Sequence, residues 1–292
     1  MARSVTRTDA LLFTMALIWG INYSVVKRGA QLFPPLAFNA LRVSLAAAVL
    51  LSLAALRGKP WPSRHDLVRL MAFGAIGNCV YQVLFIEAIT RTRAGNVAIV
   101  LASSPAWLAL AGRMRGVELV SRGTVAGIIA SIAGVAVVVL GGAGLADAVS
   151  PAPMLGNALA LAGTITWATY TILLNPLTHR TEPLQLAGVT MVGGAIPLLI
   201  IASPQLMRTD FGAAGVEGWA ALLYGSLLAL VAAYLMWYNG VRVLGPTRTA
   251  MYANLQPIIA LTVAALVLGE TPTYWQLAGA TAIMTGLLLT RR

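Results

Sequence analysis

Few residues in this 292-residue chain are equipped for chemistry, and those that are lie inside long apolar stretches. Trp19 and Asn22 share a helical face with Met15 and Val26, and Gly163, Trp167 and Tyr170 form a similar stripe further along. Asn78 and Gln82 are four residues apart, hence on one helical face, with Tyr81 and Phe85 beside them. Tyr234, Trp237, Tyr238 and Asn239 make a comparable group. Aromatic faces with a few amides suit an amphipathic small molecule, held by stacking and a small number of hydrogen bonds. The competing role for each ring is packing against lipid or at the membrane interface.

Catalysis would need a nucleophile, an acid–base pair or a metal set. His65 and His179 sit in loops far apart, Cys79 stands alone in an apolar segment, and no HExxH, DxD or GxSxG motif occurs. The sequence therefore predicts no enzyme, no metal site and no cofactor. Pro105 and Pro257 fall inside helical segments, where proline removes a hydrogen bond and frees a carbonyl about one turn earlier. Such paired breaks mark hinges or binding sites in transporters; a kink that merely fits packing is the simpler reading. Around them lie Ser103, Ser104, Tyr252, Asn254 and Gln256. The serines can bond back to their own helix, whereas buried amides face a partner helix or a wet cavity.

Arg42 is the one basic residue inside a span. Three roles fit it: snorkelling to the surface, pairing with another group, or meeting a substrate carboxylate. Glu87 is the one carboxylate placed within a span, and Glu118 and Glu270 are placed just beyond helix ends. A proton relay through a central acid is therefore not expected.

The elements that carry these residues follow from composition. Hydrophobic residues make up 59% of the chain and charged ones 10%, against about 25% charged in soluble domains, and the mean hydropathy is +0.81. Long unbroken apolar runs favour helices over barrel strands in lipid. Spans are expected near 10–26, 33–56, 68–90, 94–114, 121–140, 154–175, 183–203, 217–240, 247–268 and 274–290. The basic start and first apolar stretch lack a clear cleavage site and read as a retained helix.

The net charge of +11 comes from basic residues set singly between spans, which fits loops at a membrane rather than nucleic-acid binding. With the N-terminus inside, fourteen basic residues, among them Arg3, Arg57, Arg115 and Arg291, fall on the cytoplasmic side. Five, including Lys27 and Arg28, fall in the outer connections. That bias places both termini in the cytoplasm and the chain in the plasma (inner) membrane as a multi-pass protein. Its expected partners are a small-molecule substrate and the lipid bilayer, with no obligate protein partner evident.

A shift of 152 residues superimposes Ala98 on Ala250, Pro105 on Pro257, Glu118 on Glu270, Gly127 on Gly279 and Gly134 on Gly286. Trp19 meets Trp167 at a shift of 148. The chain thus reads as two five-helix units, 8–140 and 154–290. An odd number of spans per unit makes the second enter the membrane inverted, the architecture of many secondary transporters. The glycine pairs, seven apart in each copy, read as close helix contacts.

The mid-span proline, the Glu thirteen positions after it (Glu118 after Pro105, and Glu270 of Gly269-Glu270 after Pro257), and the glycine-spaced helix that follows resemble the EamA repeat of the drug/metabolite transporter superfamily. The first copy departs from it, with Val117-Glu118 lacking the glycine. The resemblance implies ten helices around a central cavity lined by the first, third and fourth spans of each half. It also implies export of metabolites, with the YddG-type amino-acid exporters the most similar group. The expected activity is alternating-access export of aromatic or other neutral amino acids, with drugs, phosphorylated metabolites or a channel as alternatives.

Overall fold

In the computed structural model the described residues are 7–114, 122–141 and 150–289. The expectation for Glu118, and the loop places of Arg3, Arg115 and Arg291, lie outside them. The chain forms α1 (Arg7–Leu32), α2 (Pro35–Leu56) and α3 (Arg64–Ile89). These are followed by α4 (Ala94–Leu101), α5 (Ser104–Met114) and α6 (Arg122–Gly141). The second half runs through α7 (Pro153–Thr178), α8 (Pro183–Leu206) and α9 (Gly215–Leu244). It closes with α10 (Pro246–Tyr252), α11 (Gln256–Leu268) and α12 (Tyr274–Leu289). Among the described residues, seven helices are long and apolar enough to cross a membrane by length and composition. Shorter apolar helices, Ala94–Leu108 and Val125–Gly141, accompany them.

Local sequence sets the boundaries. Pro35, Pro153 and Pro183 each open a helix at its first turn, where a missing N–H costs nothing. The Glu182 carboxylate caps α8 by accepting from Leu184 N at 2.8 Å and Gln185 N at 3.2 Å. α11 ends on Gly269, whose φ of 68° is the left-handed conformation glycine adopts at no steric cost. The Glu270 N–H then bonds back to the Ala264 carbonyl at 3.1 Å, which turns the Glu270 side chain into the bundle.

One expectation is corrected here. Lys27 and Arg28 were placed in an outer connection; both belong to the last turns of α1, which runs on to Leu32. Lys27 is 4% exposed there, because the helix delivers it to a carboxylate rather than to solvent.

Equivalent helices of the two halves pack on each other, α2 against α8 and α6 against α12. The second contact is glycine on glycine. A Cβ at Gly134 would lie 2.7 Å from the Gly279 carbonyl oxygen, and one at Gly286 would lie 2.5 Å from that of Gly127. Helices that meet in lipid gain little from hydrophobic burial, so this backbone approach supplies the dispersion contact that joins them. The exterior carries large apolar residues such as Leu56, Ile200, Val216 and Leu266, as a lipid-facing surface requires.

The glycine contact yields a measurable cost. Gly134→Ala is expected to destabilise the bundle by about 1–3 kcal/mol through overpacking, read as a lower thermal unfolding midpoint in detergent. An unchanged midpoint would mean that α6 and α12 can part without loss.

Candidate functional site

The broken helices meet at the centre of the bundle. Pro105 follows an interruption between α4 and α5 at Ala102–Ser103, and Pro257 follows a 3-10 turn at Ala253–Leu255. α3 and α9 are disturbed as well. Each contains a π-helical stretch, Ile76–Val80 and Tyr224–Ala232, a rare geometry that recurs at functional sites. The two π stretches begin 148 residues apart, the same shift that relates Trp19 to Trp167. Each also contains a glycine that makes room for a side chain of the other half. A Cβ at Gly77 would lie 2.5 Å from the Tyr170 ring, and one at Gly225 would lie 2.6 Å from Arg42 Nε.

Between these breaks lies a chamber lined from both halves. The first half contributes Trp19, Asn22 and Tyr23 from α1, Arg42 from α2, Tyr81, Gln82 and Phe85 from α3, and Leu101 and Ser104 at the α4–α5 break. The second contributes Thr164 and Trp167 from α7, Ala229, Leu230, Tyr234 and Trp237 from α9, and Ala253 and Gln256 at the α10–α11 break. Trp19 is the hub. Its ring centroid lies 6.1 Å from Trp167, 5.8 Å from Tyr234 and 5.6 Å from Trp237. Its indole N–H donates to the Ala229 carbonyl, inside the π stretch, at 2.9 Å. The Tyr23 hydroxyl donates to Gln256 Oε1 at 2.9 Å, tying the halves together again.

The chamber is narrow. Water-sized spheres can centre over only about 60 Å³ of it, room for a few water molecules. Polar atoms on its wall are left without a hydrogen-bond partner among the described residues: Asn22 Oδ1, Gln82 Oε1, the Tyr234 hydroxyl and Arg42 Nε. An unmet buried polar group costs about 1–3 kcal/mol. Four such atoms border this one space.

Sequence spacing brought most of its candidates here. Trp19, Asn22, Tyr81, Gln82, Trp167, Tyr234 and Gln256 line the chamber, and Asn78, Ser103, Tyr170 and Tyr252 do not. The Ser103 hydroxyl donates to the Val100 carbonyl at 2.7 Å and accepts from the Trp107 indole at 3.2 Å. The Tyr170 hydroxyl bonds that of Tyr238 at 2.6 Å, and Tyr252 donates to Asp9. Asn78 is fully buried on the α8 side, where a Cβ on Gly194 would strike it. Tyr23 and Thr164 were missed. Tyr23 stands four residues after Trp19, a signal that was present in the spacing.

At the end of the bundle where α1 terminates, a buried polar network joins the halves. Lys27 Nζ lies 2.7 Å from Glu270 Oε1 and donates to the Thr92 carbonyl at 2.7 Å. Glu270 Oε2 accepts from the Ala94 N–H at 2.9 Å. Thr92 donates to Asn157 Oδ1 at 2.9 Å, and Gln276 donates to Asn96 Oδ1 at 2.7 Å. Glu87, the carboxylate expected within a span, is half-buried and pairs with Arg91 one turn on. No group of three or more His, Cys, Asp or Glu placed to hold a metal occurs among the described residues.

Comparison with known proteins places this geometry. The model of the EamA-like transporter family matches residues 6–140 and again 154–292. A Salmonella typhimurium protein named "Probable amino-acid metabolite efflux pump" is 28% identical over 98% of this chain and 95% of its own length. The "Probable terminal-alkyne amino-acid exporter" of Streptantibioticus cattleyicolor is 26% identical, covering 97% and 92%. The "Uncharacterized transporter YyaM" of Bacillus subtilis is 24% identical, covering 95% and 91%. A protein crystal structure superimposes with a TM-score of 0.66 over 98% of this chain and 96% of that one, at 21% identity; that likeness concerns the fold.

The ion pair gives a prediction of its own. Lys27→Met leaves the Glu270 carboxylate buried and unpaired, so a loss of roughly 3–5 kcal/mol is expected. Lys27→Met combined with Glu270→Gln should recover most of it. Thermal unfolding of the two variants measures the difference; equal losses would mean that the pair is not closed in the folded protein.

Proposed function

The chain belongs to the EamA-like transporter family and is a multi-pass membrane transporter, and from that premise we propose that it exports neutral amino acids by alternating access. In this reading ten spans form two inverted five-helix repeats, 8–140 and 154–290. Both termini are cytoplasmic in the inner membrane, so the Lys27 end faces outward.

The observation that carries the reading is the shared chamber. Trp19 and Trp167, equivalent positions of the two repeats, meet in one aromatic cluster, so neither half owns the site. Aromatic faces stack an apolar side chain and attract an ammonium group through their quadrupole. Asn22 and Gln82 offer carbonyl acceptors to the same ammonium. Amino-acid relatives by name, such as the efflux pump of Salmonella typhimurium, support this choice of solute. Pro105 and Pro257 then act as hinges, since the helices are already interrupted beside them and proline removes one backbone bond from each.

Counterflow in proteoliposomes with a panel of the twenty amino acids tests the proposal. Saturable exchange of at least one neutral amino acid is expected, falling about tenfold or more in Trp19→Ala and in Trp167→Ala, with expression and monodispersity retained. Non-saturating flux without counterflow would make the protein a channel. Normal exchange in both variants would remove the rings from the site.

Orientation has a separate test. Reporter tags fused at the C-terminus should read as cytoplasmic. A periplasmic reading would overturn either the cytoplasmic N-terminus, and with it the outward Lys27 end, or the even span count.

A further inference from the structure

Among the described residues two cations are buried, and they are treated differently. Lys27 has its carboxylate. Arg42 has none. It is 1% exposed, well inside α2 rather than at a surface, so the snorkelling role is excluded. Among the described residues no salt bridge reaches it. It makes a long 3.4 Å bond from Nη1 to Asn39 Oδ1 and lies over the Phe38 ring, whose centroid is 5.5 Å from Cζ, with the neutral phenols of Tyr234 and Tyr81 as its further electrostatic neighbours. Asn39 is itself fixed by donating to the Gln82 carbonyl at 2.8 Å. Nε makes no hydrogen bond, although the side chain forms part of the chamber wall.

A guanidinium that cannot lose its proton and has no counter-ion in an apolar interior carries a desolvation cost of several kcal/mol. Gly225 shows that the fold makes space for it, because any larger residue there would collide with Nε. The fold therefore accommodates a charge that its own residues leave uncompensated, at the edge of a space bounded by aromatic rings.

We propose that Arg42 is the receptor for the carboxylate of the transported solute. The planar fork of guanidinium matches a carboxylate in bidentate geometry, and Nε is one of its free donors. The solute's ammonium and side chain then fall toward Asn22, Gln82 and the rings around Trp19. A single guanidinium balances one negative charge, so the class is a monocarboxylate or amino-acid zwitterion rather than a phosphate dianion. This assignment rests on the transport reading above and deepens it.

The test is counterflow with full-length protein in proteoliposomes, each L-amino acid being compared with its α-amide. Wild type should exchange at least one acid and not its amide. Arg42→Met should weaken apparent affinity for that acid by roughly thirtyfold or more and abolish the preference over the amide. Its thermal midpoint should be no lower than wild type, since an apolar side chain replaces an unpaired charge. Arg42→Lys keeps the charge and should keep the acid-over-amide preference at reduced affinity. Gly225→Ala, which pushes the guanidinium aside, should lower acid affinity with Arg42 still present. Equal exchange of acid and amide by wild type, or wild-type acid affinity in Arg42→Met, overturns the assignment. Exchange of carboxylate-free solutes alone leaves alternating-access transport standing but removes both amino acids as its solute and Arg42 as their receptor. Exchange of nothing removes both.

Discussion

The joint between Lys27 and Glu270 governs how the two halves meet. Two opposite charges buried at 2.7 Å are stable only while each has the other and their remaining hydrogen-bond capacity is met. Here Thr92 and the Ala94 N–H meet it, and the sequence around the pair is arranged to deliver the partners. α1 extends two turns past its expected end to present Lys27, and Gly269 turns the chain so that Glu270 points inward. A pair of this kind has two favourable conditions, dry and joined or wet and apart, with a costly state between them.

The chamber is produced by irregularities rather than by the helices themselves. A straight α-helix satisfies its own backbone and offers lipid or neighbours only side chains. Proline breaks in the fourth segment of each half and π stretches in the third turn that rule off locally. The Ala229 carbonyl can then accept the Trp19 indole, and glycines at the π stretches admit Tyr170 and Arg42 from across the interface. Irregular backbone at membrane depth is tolerated where it is enclosed by protein or lines a cavity, and both conditions hold here.

The apolar segments, the duplication and the proline pair were legible in the sequence because each has a composition or spacing code. The π stretches were not, since no residue type specifies them. Their absence from the reading explains the one misplaced amide stripe. Asn78 and Gln82 share a face in an α-helix, but the turn at Ile76–Val80 has more residues than an α turn and rotates Asn78 toward α8. Lys27 was misplaced for a different reason. A basic residue near a span end is ordinarily a loop residue, and only the fold reveals a carboxylate 243 positions later in the chain as its neighbour. Tyr170 and Tyr252 lie on inward faces as expected but at other depths, and spacing encodes face far better than depth.

The halves are alike in shape and unlike in charge. The shift of 148 residues that carries Pro35 to Pro183 carries Arg42 to Thr190, whose hydroxyl is satisfied by the Leu186 carbonyl of its own helix at 2.8 Å. The same shift carries Lys27 to Asn175. Both cations buried among the described residues thus belong to the first half, while the aromatic rings come from both. The wall that the two repeats share is therefore alike in its rings and unlike in its charge.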